Sequence, residues 1–274
     1  MKTPSIAAFI YDFDGTLSPG NMQEYAFIEQ LGIEPEQFWS CSERRAVEAR
    51  GDNILAYMYE MVREAKHKGV KITRESFRGY GSRIEFFPGV IHWFERVNQY
   101  AKQKGVQLEH YIVSSGLREM IEGTPICRHF TKIYASGFMY DANGVADWPA
   151  LAVNYTTKTQ FLFRINKGEL DEWDGNRINA YMAVSDRRIS FRYMSYFGDG
   201  STDIPCMRLV KEQGGYAVAV YRPGGEAKVA PLLSENRVQF TAPADYSAGE
   251  RLERLAYAMI DKWSAEMALE EAAG

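Results

Sequence analysis

Residues 6–17 read IAAFIYDFDGTL, and the organisation of the whole chain follows from how this stretch is taken. The run from Ile6 to Phe13 is apolar without alternation up to its first aspartate, so it reads as a strand buried on both faces, as in a parallel sheet. Asp12 and Asp14 fall where the strand gives way to a loop at Gly15. In open α/β sheets, ligands bind outside the carboxyl ends of the strands. Two carboxylates at such a place suit phosphoryl chemistry, because one can attack phosphorus while the other exchanges a proton with the leaving group and then with water. Neighbouring anions also call for a cation.

Working outward, residues 21–86 contain EYAFIEQLG, PEQFWSCSERRAVEARG and NILAYMYEMVREAKHKG, all with helical spacing and none reading as a strand. This predicts an all-helical insertion. Pro88-Gly89 opens a further helix, followed by a strand over 107–113 that ends at Ser114-Ser115-Gly116, a helix from Leu117 and a strand over 132–135. Asp-Ala-Asn-Gly at 141–144 marks a hairpin within 138–153. A helix over 158–166, strands over 192–197 and 216–221, and a C-terminal helix from about Ala248 complete the pattern. Alternating strands and helices predict an α/β fold: a Rossmann-like parallel sheet with helices on both faces. The expected division is a core of residues 1–17 and 88–274 and a small helical cap of residues 18–87. No internal repeat or low-complexity segment interrupts it.

Three other places carry candidate chemistry. Ser114, Ser115 and Gly116 stand between a strand and a helix, where backbone N–H groups and a hydroxyl make an anion site. Lys158 sits in the first turn of its helix, against the helix dipole, so it should have an anion nearby. Residues 197–203, FGDGSTD, put Asp199 and Asp203 in a glycine-rich loop after a strand, a hard-oxygen set suited to Mg²⁺. Arg44, Arg45 and Arg50 read as solvated helix residues, and Trp39, Tyr57 and Met58 as the core of the insertion.

The 274 residues are 46% hydrophobic with a formal charge of −4, enough for a large core and without the field that would attract nucleic acid or an anionic membrane. Cys41, Cys127 and Cys206 are too scattered for a zinc site or a disulfide framework. The amino-terminal segment lacks a signal-peptide pattern and no run approaches a membrane span, so a cytoplasmic protein is expected.

Taken together and in order, these strings resemble the four motifs of the haloacid dehalogenase superfamily, over most of the chain from Ile6 to about Tyr221. The resemblance implies Asp12 as nucleophile, Asp14 as general acid/base, Ser114 as a phosphoryl ligand and Lys158 as its counter-charge. It implies Mg²⁺ held by Asp12, the backbone carbonyl of Asp14 and Asp199, with Asp203 in or next to that shell. The second aspartate of the first motif points to a phosphatase or phosphomutase rather than a dehalogenase. The helical insertion and the spacing of Lys158 are similar to the phosphoserine-phosphatase-like branch. The acidic residues with which that branch grips its substrate fall here on Gly20 and Asn21, and the Asn of its acidic loop is Thr202, which argues against phosphoserine. The reading is an Mg²⁺-dependent phosphomonoester hydrolase acting on a small phosphorylated metabolite through an aspartyl-phosphate intermediate. A phosphotransferase or mutase using the same intermediate remains open, as does a non-catalytic binding protein.

Overall fold

Strand β1 (Ile6–Tyr11) is buried at every position because neighbours flank it on both edges and helices cover both faces. The computed structural model describes residues 6–273; residues 1–5 of the expected core segment, and Gly274, lie outside the described residues. After β1 come α1 (Phe27–Leu31), α2 (Pro35–Ala49), α3 (Asn53–His67), α4 (Arg74–Gly81) and α5 (Val90–Gln103). Then follow β2 (Gln107–Leu117), α6 (Arg118–Glu122), β3 (Lys132–Tyr140), β4 (Ala146–Leu151), α7 (Lys158–Lys167) and α8 (Gly175–Asn179). The chain closes with β5 (Met194–Gly198), α9 (Ile204–Glu212), β6 (Tyr216–Tyr221), α10 (Glu226–Ser234), β7 (Phe240–Pro243) and α11 (Arg251–Ala273).

The seven strands form one sheet in the order β4-β3-β2-β1-β5-β6-β7, parallel except for the β3–β4 hairpin at one edge. The chain fills one side of β1 and then crosses to the other at β5, so β1 and β5 frame the switch point where a crevice opens. The α/β sheet with helices on both faces is the architecture expected from the sequence. Three boundaries differ. β2 continues through Ser114–Gly116 to Leu117, with an irregular register against β3, so these residues lie in a bulged strand end and not in a turn before a helix. β3 runs on to Tyr140 because the hairpin extends it, and β5 starts only at Met194, after a 3₁₀ turn at Phe191–Tyr193. Helices α8, α9 and α10 and strand β7 were not anticipated.

Between β1 and α5 the chain makes only helices and turns, α1 to α4, around an aromatic centre of Phe27, Phe38, Phe77 and Tyr80. The chain leaves and re-enters the sheet layer at one place, where Phe87 N–H donates to the Leu17 carbonyl at 3.0 Å. Two further ties fasten the helices to the core. Phe77 stacks on Phe138 of β3 at 5.6 Å, and α4 crosses α6 so closely that a Cβ on Gly81 would lie 1.9 Å from the Met120 carbonyl oxygen. No helix among the described residues is long and apolar enough to cross a membrane.

On one face of the sheet, alternate β1 residues Phe9 and Tyr11 pack with Trp93 and Phe94 of α5 and Trp263 of α11. A directed chain of hydrogen bonds threads this layer. Trp93 Nε1–H donates to the Tyr11 hydroxyl at 2.9 Å, and that hydroxyl pairs with His110 Nδ1 at 3.2 Å, while Nε2 of the same ring lies 3.0 Å from Asn98 Oδ1. Trp93 can only donate, so Tyr11 donates onward and His110 is the neutral ring protonated at Nε2. Burial, reinforced by His129, lowers the His110 pKa to about 3. Between an ordinary value of about 6.5 and that figure, the unfolded chain binds a proton that the folded chain does not. This residue therefore makes stability fall as pH drops through that window, by about 1.4 kcal/mol per pH unit. In denaturant titrations at a series of pH values, the stability gap between the wild type and His110→Gln should narrow steadily as pH falls from 6.5. A constant gap would refute the neutral buried ring.

Candidate active site

Register places the site. Tyr11 is level with Phe197 and Ile112, so Asp12 emerges beside the ends of β5 and β2, and its own N–H donates to the Phe197 carbonyl at 2.9 Å. The loop beyond folds back because the Phe13 carbonyl accepts from the N–H groups of Thr16, Leu17 and Ser18. Gly15 is required here: its φ is +78° and a Cβ would stand 2.4 Å from an Asp199 carboxylate oxygen. The tight turn thereby holds the first aspartate pair against the acidic loop that follows β5.

Lys158, fully buried at the start of α7, answers the anion expected for it twice over. Its Nζ is 3.0 Å from Asp12 Oδ1 and 2.7 Å from Asp203 Oδ1. The Tyr196 hydroxyl donates to the same Asp203 oxygen at 2.7 Å, and the Gly200 N–H to the other at 3.2 Å. Asp203 is thus a fully engaged anchor that holds the lysine, and the lysine holds Asp12. Asp14 accepts from the Met22 N–H at 3.0 Å. Asp199 pairs with Lys228 of α10 at 3.0 Å. Ser114 is buried and its Oγ accepts from the Gly116 N–H at 3.1 Å, while the Ser115 carbonyl accepts from Tyr57 and Ser136.

Electrostatics separates the carboxylates. Burial, then Asp203, raises Asp12 above its ordinary range against the pull of Lys158. Burial, then the charge of Asp12, holds Asp14 well above its range, and Asp199 is raised for like reasons against Lys228. For Lys158, burial opposes the charge, but Asp12 and Asp203 outweigh it and keep the ammonium protonated. One lysine shared by two carboxylates stays charged without fully stabilising both, which reconciles a raised Asp12 with a raised Lys158.

These groups surround a cleft of about 400 Å³ lined by Asp12, Asp14, Ser114, Ser115, Gly116 and Asp199, with Lys158 and Asp203 buried behind Asp12. All eight residues singled out from the sequence therefore converge. One carboxylate oxygen each from Asp12, Asp199 and Asp203 lie within 4.8 Å of one another, a set that could hold a divalent cation. Among the described residues Lys158 and Lys228 pair with three of the four carboxylates, Asp12, Asp203 and Asp199, and Asp14 has no ion pair, so negative charge is left over and this hard-oxygen site fits Mg²⁺.

Other lining residues were not foreseen. Tyr57 and Met58 are buried in the core as expected, and Trp39 is partly buried against it, but Trp39 and Tyr57 also line the cleft. Arg222 and Lys228 line the opposite side. Arg222 directly follows β6, so the rule that sites gather at carboxyl ends of parallel strands could have found it. Arg45 pairs with Glu60 at 2.9 Å and Arg44 donates to Cys41, and neither these nor Arg50 line the cleft. Lys167 donates to the carbonyls of Ile178 and Ala180 and so helps pin the 171–188 segment to α7, as Arg164 does through the carbonyls of Asp171 and Glu172.

The chain is 29% identical over 277 residues to an uncharacterised protein of Borreliella burgdorferi, with 90% of this chain and 94% of the relative covered. Among solved structures it is similar to a HAD family hydrolase of Salmonella enterica serovar Typhi, at a TM-score of 0.55 and 16% identity, covering 86% of this chain and 66% of that one. It is also similar to phosphoserine phosphatase in a structure described as a phospho-aspartyl intermediate analogue, at a TM-score of 0.56 and 16% identity, covering 91% and 96%. At these identities the likeness is one of fold, and it is the Rossmann-like fold described above. Residues 9–208, which run from within the first β-strand through the insertion, Lys158 and the acidic loop, match the haloacid dehalogenase-like hydrolase family, and the chain belongs to that family.

Proposed function

We propose that the protein is an Mg²⁺-dependent phosphomonoester hydrolase that works through a phosphoryl group carried on Asp12. The observation that carries this reading is the contrast between two carboxylates in one cleft: Asp12 is paired with Lys158, whereas Asp14 has no ion pair among the described residues and burial, then the charge of Asp12, raises it well above the ordinary carboxylate range. Environments that divide two carboxyl groups in this way assign one as nucleophile and the other as acid. Ser114 and the backbone of Ser115 and Gly116 receive the phosphate oxygens, and Lys158 balances their charge from behind. Asp12 attacks phosphorus as Asp14 gives its proton to the departing alcohol oxygen. Asp14 then takes a proton from the water that attacks the aspartyl-phosphate, returning Asp12 and releasing phosphate.

Asp12, Asp199 and the backbone carbonyl of Asp14 would hold Mg²⁺, with Asp203 beside them. The ion supplies charge that lets an anionic nucleophile approach an anionic ester. Residues 18–87 act as a cap that excludes bulk water and selects the leaving group, and the rest of the chain forms the catalytic core. Phosphate release from a panel of esters should be lost in excess chelator and restored by Mg²⁺, with Ca²⁺ supporting it poorly because its larger, looser shell lets Asp12 bind through both oxygens. Full turnover in chelator would refute the metal site.

The exposed guanidinium of Arg222 lines the cleft with no ion-pair partner among the described residues, which suits a role in drawing in the anionic ester. Arg222→Ala should raise KM about 10-fold with kcat little changed, and the increase should shrink at high salt. A fall in kcat at constant KM would place this arginine in the chemical step instead.

A further inference from the structure

The insertion side of the cleft carries its own chemistry. Gln23 is 2% exposed and lines the cleft, yet its amide oxygen has no hydrogen-bond partner, and no partner of its amide nitrogen stands among the described residues. Buried amides are normally satisfied, so an unpartnered one in the wall of a cleft marks a place where a ligand can complete it. The turn that carries it cannot simply relax. On one side the Met22 N–H donates to Asp14 at 3.0 Å and the Met22 sulfur accepts from the Leu117 N–H at 3.0 Å. On the other, Glu24 Oε1 accepts from Trp39 Nε1 and from Asn21 Nδ2, both at 2.6 Å. Gln23 is held between two anchored neighbours.

Apart from Asn21, whose Nδ2 is given to Glu24, the remaining wall is apolar in effect. The Trp39 N–H is engaged by Glu24 and the Tyr57 hydroxyl by the Ser115 carbonyl at 2.7 Å, so these two residues and Ile54 offer the cleft hydrocarbon and ring surface. No carboxylate and no cation from the insertion lines the cleft. A zwitterionic leaving group such as an amino acid would bring its ammonium to a wall with no anion to meet it. Half a turn about the terminal torsion of Gln23 exchanges its donor and acceptor, and a hydroxyl is the group that can use either.

Building on the hydrolase reading above, we infer that the leaving group is a neutral hydroxylated body, a polyol or sugar, with a hydroxyl on the Gln23 amide and its C–H surface against Trp39 and Tyr57. The test compares kcat/KM for phosphate release within matched pairs of increasing size: glycerol 3-phosphate and propyl phosphate, ribose 5-phosphate and tetrahydrofurfuryl phosphate, glucose 6-phosphate and cyclohexylmethyl phosphate, with phosphoserine alongside. In the best-used pair the hydroxylated ester should lead by about 100-fold or more, because a polar site left unfilled rejects the deoxy analogue strongly. Gln23→Met should cut that lead at least about 10-fold, and Gln23→Leu repeats the reading if the first variant does not fold. Phosphate release with no preference for the hydroxylated member, a preference unchanged in the variants, or phosphoserine ahead of every pair would overturn this inference while leaving the hydrolase intact. Release from none of the esters would remove the hydrolase reading and this inference together.

Discussion

Asp12→Asn should abolish phosphate release, with kcat lowered by about 10⁴-fold or more, while Asp14→Asn should leave a protein that takes up a phosphoryl group and keeps it. The two residues are separated by one position, yet their surroundings assign them different work. Asp12 is aligned by Lys158 and by its bond to the end of β5, and an amide in its place is a poor nucleophile. Asp14 stands apart from that ion pair, fixed by the Met22 N–H. With an aryl phosphate, whose leaving group departs without protonation, the first half-reaction survives in Asp14→Asn and the second, which needs a base for water, does not. Acid quenching followed by intact mass measurement should show one added phosphoryl group, and fragmentation should place it on Asp12. If neither the wild type nor Asp14→Asn ever carries the adduct while the wild type releases phosphate, water is the nucleophile.

Lys158→Met should be the most damaging change outside the aspartate pair, and it should act on stability and turnover at once. The ammonium is fully buried between Asp12 and Asp203, so its removal leaves two buried carboxylates without their counter-charge, a loss of about 3–5 kcal/mol. Turnover should fall by about 10²–10³-fold or more, because the charge that balances the transferring phosphoryl group is gone. Adding Asp203→Asn removes one of the stranded charges, so the double variant should regain part of the lost Tm without regaining activity. Thermal denaturation and steady-state kinetics on the same preparations separate the two effects. Recovery of activity together with Tm would reduce Lys158 to a structural ion. Lys167→Ala, nine residues along the same helix, should leave turnover unchanged, because Lys167 binds only the carbonyls of the segment over α7.

The parts of this arrangement that could be read from the sequence share a physical cause. β1 and β6 are short apolar runs because a central parallel strand is buried on both faces, and α7 ends where the helical pattern meets Gly168 at φ +77°. Asp12, Asp14, Asp199 and Asp203 were visible because strand ends collect polar motifs, and Lys158 because a cation opposing a helix dipole needs a reason. The misread parts depend on partners remote in sequence. Ser114 to Gly116 look like a helix cap, yet β3 draws them into the strand. β7 has only four residues and exists because β6 pairs with it, while α10 carries Pro231 inside the helix, which breaks its pattern. Gln23 lies in a turn with no pattern of its own, and its relation to the cleft arises only once Met22 and Glu24 are anchored by residues far along the chain.

The bond between Phe87 and Leu17 brings the two ends of the insertion together as neighbours. A loop that starts and finishes at one point is insensitive to its own length, since each doubling adds only about 0.6 kcal/mol of closure entropy. The segment between these ends can therefore lengthen or shorten at little cost in closure entropy, while the register of β1, set by β2 and β5, does not depend on it.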